Sequence, residues 1–288
     1  MRVGDAAATR AILARYGFPI RKKYGQNFLT DSGVLRRITE AAGVTKEDSV
    51  LEVGPGLGSL TQYLCEAAHD VTCVEIDAKL IPILSETLAD YDNVTVVHED
   101  ILKYDLAAHH AALPEGASCR KVVANLPYYI TTPVIMMLLT SPVPFDTMLF
   151  MVQKEVADRI LAAPGTENYG ALTIAAGYYA SLSNAGTVPP SCFYPRPGVD
   201  SALLLMRRYE ERPVRSRDEQ LMFRLVRASF NQRRKTLANA VSHFEGLSFS
   251  REDVCRALVS CGLPEDVRGE RLSAADFAHL TDALLSFA

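Results

Sequence analysis

Short apolar runs recur through the first two-thirds of the chain, each followed by a stretch with helical spacing. SVLEVG at 49–54 reads as a strand and SLTQYLCEAA at 59–68 as a helix. VTCVEID (71–77) and AKLIPILSETLAD (78–90) repeat that pair, and NVTVVHED (93–100) is a further strand. After a loop come the strand KVVANL (121–126), the helix TTPVIMMLLTS (131–141) and the strand DTMLFMVQ (146–153). Ahead of these, AAATRAILARY (6–16) reads as a short helix, and Thr30-Asp31-Ser32 offers an N-cap for a helix through about Ala42. Strands alternating with helices predict βαβ units, an α/β fold with a mainly parallel sheet and helices on both faces.

The pattern changes near residue 208, where Arg208-Tyr209-Glu210-Glu211-Arg212-Pro213 is charged and ends at a proline. Beyond it EQLMFRLVRASF, RRKTLANAVSHF, SREDVCRALVSC and SAADFAHLTDALLSF all have helical spacing. The expected division is therefore a domain over 1–209 and a small helical domain over 210–288.

Composition supports a folded chain: 48% of the 288 residues are hydrophobic. The longest purely apolar stretch, Val134 to Leu139, is far shorter than the roughly 20 residues that span a bilayer. Six cysteines form no C-x-x-C pair, and no His stands at metal-ligand spacing from a Cys pair. The reading is of reduced thiols in a cytoplasmic protein, with no metal site.

A net charge of −4 argues at first against a nucleic-acid partner. The distribution reverses that reading. Residues 1–40 carry 8 basic and 3 acidic side chains, and residues 207–240 carry 10 and 4, whereas residues 41–206 carry 8 and 19. Arg21, Lys22 and Lys23 lie in the first basic segment and Arg233, Arg234 and Lys235 in the second. Both clusters are candidates to bind RNA phosphates, and the acidic middle suits a cationic ligand.

Candidate chemistry begins at Glu52-Val53-Gly54-Pro55-Gly56-Leu57-Gly58, where glycines link the first strong strand to a helix. Such a turn lets backbone approach a ligand. The spacing is G-x-G-x-G with Ser59 at the sixth position, so neither a dinucleotide fingerprint nor a phosphate-binding P-loop is matched. A plain tight turn stays open. Glu75, Asp100 and Asn125 fall at three other strand ends, and ligands of open α/β sheets bind outside the carboxyl ends of strands. A carboxylate about 20 residues past the glycines accepts from ribose hydroxyls, and a second accepts from an adenine amine. Together they describe a pocket for an adenosine-bearing ligand without a phosphate anchor.

Asn125-Leu126-Pro127-Tyr128 adds a reactive centre. An exocyclic adenine amine is a poor nucleophile, and acceptors aimed at its N–H bonds favour the tetrahedral state that attacks a methyl group. Asn125 supplies a side-chain oxygen, a backbone carbonyl freed by Pro127 supplies a second, and Tyr128 can stack on the base.

With these residues in view, the sequence resembles the ribosomal RNA adenine N6,N6-dimethyltransferases, most closely their bacterial small-subunit members. The matching segments run nearly the whole chain. They include GQNFL at 25–29, EVGPGLG at 52–58, EID at 75–77, NLPYYITTP at 125–133, FYPRPGVDSA at 193–202, SFNQRRKTLANA at 229–240 and RGERLS at 268–273. The resemblance implies a Rossmann-like class I methyltransferase domain with a seven-stranded sheet and S-adenosylmethionine as methyl donor. It implies that Asn27 and Leu29 close over the donor and that Gly54 and Gly56 approach its methionine part. Glu75 with Ile76 would hold the ribose, Asp100 with Ile101 the adenine, and Asn125 would lie beside the methyl. Phe193 would be a second aromatic against the target base, a core aromatic being the alternative. The implied partner is 16S rRNA within the small ribosomal subunit, met by a monomer, with two methyl groups placed on each of two adjacent adenosines. Gly198 and Ala171 stand where many relatives carry basic residues. The related large-subunit methyltransferases are the runner-up, and an RNA-binding assembly factor on the same fold is a reading from another class.

Overall fold

The computed structural model describes residues 2–19, 26–113 and 119–287. Arg21, Lys22 and Lys23 lie outside them. In chain order the first elements are α1 (Ala6–Arg15), β1 (Phe28–Leu29), α2 (Ser32–Ala42), β2 (Asp48–Val53), α3 (Ser59–Ala67), β3 (Asp70–Glu75) and α4 (Ile81–Thr87). There follow β4 (Val94–His98), α5 (Leu106–Ala111), β5 (Cys119–Asn125), α6 (Thr131–Thr140), β6 (Thr147–Gln153) and α7 (Lys154–Ile160). Next come α8 (Ala171–Tyr179), β7 (Ala180–Val188), β8 (Phe193–Tyr194) and β9 (Ser201–Arg208). The chain ends in α9 (Glu219–Asn231), α10 (Leu237–Ser242), α11 (Arg251–Ser260) and α12 (Ala274–Phe287).

One sheet has seven strands in the order β4-β3-β2-β5-β6-β9-β7. The pairs among β4, β3, β2, β5 and β6 are parallel, and β9 runs antiparallel to β6 from Thr147↔Arg207 to Gln153↔Ser201. β2 is flanked by β3 on one side and β5 on the other, so the strand order reverses there. The crevice beyond the carboxyl ends of β2 and β5 is where such a sheet takes its ligand. β2 is buried at every residue, as expected of a parallel strand covered on both faces. The N-cap works as the sequence indicates, the Asp31 carboxylate accepting from Val34 N–H at 3.0 Å, and the structure adds Gly43 at φ 61° as the residue that closes α2.

A second, two-stranded sheet joins distant segments. β1 pairs antiparallel with β8, with Phe28 opposite Tyr194 and Leu29 opposite Phe193. Thr30 extends the ladder, donating from its N–H to the Cys192 carbonyl at 2.8 Å.

The chain divides into two compact units, residues 1–157 with 182–208 and residues 158–181 with 209–288. Residues 158–181, placed in the first domain by the sequence reading, group with the C-terminal helices. Their reason is aromatic. In this second unit Tyr178 and Tyr179 of α8 pack their rings on Phe223 of α9, and Arg212 lies over both tyrosines at 5.0 and 5.1 Å. Both hydroxyls donate to the Glu219 carboxylate, at 3.3 and 3.1 Å. All the elements from residue 209 onward are helical. Arg233, Arg234 and Lys235, expected on a helix, instead occupy the turn between α9 and α10.

Candidate active site

Parallel pairing brings the carboxyl ends of four strands to one edge of the first unit. Gly54 follows β2, Glu75 ends β3, Asp100 lies two residues past β4, and Asn125 ends β5. All four line one pocket of about 280 Å³, together with Asn27, Leu29, Gly56, Ile76, Ile101, Leu126, Pro127 and Tyr128. Residues spread over 102 positions of sequence thus meet in a single cavity.

Gly54 turns the chain at φ +69°, with no atom within 4 Å of where a Cβ would stand. That open space faces no packing constraint, and only the backbone angle requires glycine here. At Gly58, also at positive φ, a Cβ would press on Thr87 and on Leu88 and Leu84 of the neighbouring helix side at 3.1–3.3 Å. The glycine turn therefore joins a pocket-lining bend at Gly54 to a packing point at Gly58.

Glu75 is buried, 5% exposed. Its carboxylate accepts from the N–H groups of Asp77 at 2.8 Å and Gly56 at 3.3 Å. Burial pushes its pKa up to about 7, partly offset by these two bonds. Glu52, beneath the glycine turn, is raised to about 7 by the same desolvation. Asp100 accepts from Leu102 N–H at 3.0 Å through one oxygen. Ile76 is a large apolar side chain left 43% exposed while lining the pocket, and Ile101 is 4% exposed beside it in that lining. Two carboxylates, Glu75 and Asp100, and the apolar side chains Ile76 and Ile101 thus share one lining, a set of groups that an adenosyl group could use. Among the described residues no group of three or more His, Cys, Asp or Glu is arranged to hold a metal, and no helix is long and apolar enough to cross a membrane.

The Asn125 side chain donates through Nδ2 to the Asn27 carbonyl at 3.1 Å. That leaves Oδ1 as the acceptor the amide presents to the pocket. Leu126 N–H is held by the Met151 carbonyl of β6 at 3.1 Å. The Pro127 carbonyl already accepts from Ile130 N–H at 3.1 Å and from the Thr131 hydroxyl at 3.2 Å. Leu126 and Pro127 both line the pocket next to Asn125. Tyr128 is half-buried at the pocket wall, and its neighbour Tyr129, which sequence reasoning passed over, is 53% exposed in the same lining.

Phe193 does not line this pocket. It is 3% exposed in a core cluster with Leu29, Val188, Cys192 and Leu203, because its pairing with Leu29 turns the ring into the apolar interior. Its burial is that expected of the core-aromatic alternative. Sequence reasoning also missed Gln26 and Asp77. Gln26 Nε2 donates to the Asp77 carboxylate at 3.0 Å, and the signal was the acid of the EID motif that no role absorbed.

In the second unit Arg233, Arg234 and Lys235 are all exposed, and Arg233 also reaches the Glu270 carboxylate at 3.2 Å and the Glu167 carbonyl at 3.1 Å.

A family model described as ribosomal RNA adenine dimethylase matches residues 17–280. Ribosomal RNA small subunit methyltransferase A of Lachnoclostridium phytofermentans is 50% identical over 283 residues, covering 98% of this chain and 97% of that protein. Among solved structures, a dimethyladenosine transferase from Plasmodium falciparum aligns with TM-score 0.73 at 28% identity, over 88% of this chain and 95% of its own. The 23S rRNA methyltransferase ErmE aligns with TM-score 0.67 at 27% identity, over 90% and 99%. A matched family model over most of the chain, and half-identity over nearly all of it, place this α/β chain in the ribosomal RNA adenine dimethylase family.

Proposed function

We propose that this chain transfers methyl groups from S-adenosylmethionine to N6 of two adjacent adenosines in the hairpin loop near the 3′ end of 16S rRNA. The product is N6,N6-dimethyladenosine, made on the small ribosomal subunit as part of its biogenesis. The observation that carries the reading is the meeting of Glu75, Asp100 and Asn125 in one pocket under the glycine turn.

Glu75 accepts from the ribose hydroxyls and Asp100 from the adenine amine of the donor, while Ile76 and Ile101 supply apolar walls. Gly54 and Gly56 let the backbone approach the methionine part. The sulfonium of the bound donor supplies an electrophilic methyl group. Asn125 Oδ1 and the Leu126 carbonyl accept from the two N–H bonds of the target amine and draw it toward tetrahedral geometry, with Tyr128 against the base face. As the N–C bond forms and the S–C bond breaks, the amine gains acidity and its proton passes to water, so no ionised side chain is needed. A loop base is already unpaired, which lowers the cost of presenting it. Arg21, Lys22 and Lys23, with Arg234 and Lys235, are assigned to rRNA phosphates. The protein acts as a monomer in the cytoplasm.

Half-identity to a protein named for the small subunit, against 27% to one named for 23S rRNA, supports the small-subunit target. The test is methyl transfer to immature small subunits and to large-subunit rRNA, with dimethyladenosine mapped by mass spectrometry. Two adjacent dimethyladenosines near the 3′ end of 16S rRNA are expected. Modification of 23S rRNA alone would overturn the reading.

A further inference from the structure

Asp77 is a 3% exposed carboxylate that the chemistry above does not use. A buried carboxylate is costly unless donors surround it. Asp77 receives the Lys79 N–H at 3.1 Å and the Gln26 side-chain amide at 3.0 Å, the latter from 51 residues away. Its own N–H donates to Glu75 at 2.8 Å. One residue thus touches both the carboxylate assigned to the ribose and the segment that begins at Gln26.

Residues 26–29 form part of the pocket lining. Their downstream end is laddered to residues 193–194, and Asn27 is held through its carbonyl by Asn125. Their upstream end is tied to Asp77 by the hydrogen bond from the Gln26 side-chain amide to a carboxylate oxygen. We propose that Gln26 and Asp77 form a latch that holds residues 26–29 over the bound methyl donor and so sets how long the donor stays. Both are positioning residues. The proposal rests on the reading that the pocket takes S-adenosylmethionine.

The experiment uses the full chain and S-adenosylhomocysteine as probe. Dissociation rate is read by stopped flow, affinity by calorimetry, and exchange of the Phe28 and Leu29 amides by deuterium labelling. Gln26→Ala removes one half-buried side chain and spares Asp77, Glu75 and Asn125. Release about 10-fold faster is expected, with a matching rise in KM for the donor, a much smaller change in rate at saturating donor, and faster exchange at Phe28 and Leu29. Asp77→Asn is expected to shift release in the same direction, and the double variant to be no worse than the worse single. Wild-type release from Gln26→Ala, or fully additive effects in the double variant, would overturn the latch. Wild-type protein that binds no S-adenosylhomocysteine would overturn the cofactor reading, and the latch with it.

Discussion

The side-chain amide of Asn125 is pinned by a hydrogen bond from Nδ2 to the backbone carbonyl of Asn27, 98 residues earlier, at 3.1 Å. The bond fixes which end of the amide faces the pocket. A residue at the end of β5 and one just before β1 therefore define a single acceptor.

Replacement of that acceptor separates binding from chemistry. Asn125→Ala is expected to keep the fold and bind S-adenosylhomocysteine, yet to lose methyl transfer by about 10²–10³ in kcat, the scale for removing one preorganised polar group. Single-turnover transfer to immature small subunits checks this. A rate within a few-fold of wild type would remove Asn125 from the reaction.

Glu75 is expected to tie donor affinity to pH. Its pKa near 7 lies above the ordinary carboxylate value, so the ligand-free folded chain holds a proton there that the unfolded chain releases. This group's contribution to stability is fully present below pH about 4.5 and is lost as pH rises through about 7. Ribose hydroxyls need the ionised form, so donor affinity is expected to rise between pH 6 and 8. Glu75→Gln is expected to weaken binding about 10-fold or more and to flatten the part of the profile that separates it from wild type. Calorimetry at four pH values decides it, and parallel profiles would refute the ribose role.

Gly269 gives a stability test in the second unit. A Cβ built on it stands 2.3 Å from the Ser229 Cβ on α9, closer than carbon atoms pack. Gly269→Ala is expected to destabilise the protein by about 1–3 kcal/mol through overpacking. Thermal unfolding measures it, and an unchanged midpoint would mean that the RGERLS segment shifts freely.

Charge reversal in the basic turn tests the phosphate assignment residue by residue. Arg233→Glu faces Glu270 with a like charge and is expected to lower the unfolding midpoint. Arg234→Glu with Lys235→Glu is expected to leave the midpoint near wild type while weakening subunit binding and reducing its salt slope by about 1–2. Filter binding across a salt series reads this. An unchanged slope would take both side chains off the RNA.

Much of this was legible in the residues because it is local. Alternating apolar runs gave β2 through β6, Thr30-Asp31-Ser32 marked the start of α2, and the strand-end positions of Glu75, Asp100 and Asn125 pointed to one edge of a parallel sheet. Each of these signals acts over a few residues of backbone. Other features depend on partners far away in the chain. β9 is antiparallel and inserted beside β6, and the polar-rich β7 beyond it has no clear strand pattern of its own. Residues 158–181 join the second unit because Tyr178 and Tyr179 find Phe223, Arg212 and Glu219. Phe193 is in the core because its register with Leu29 turns it there, and Gln26 meets Asp77 only once β1 is laddered to β8. The sequence by itself determined β2 through β6, the helical character of the C-terminal segments and the sheet edge where the motif residues gather. Tertiary structure decided that Phe193 is buried and that Arg233 pairs with Glu270, because long-range packing and hydrogen bonding choose among side chains that look alike along the chain.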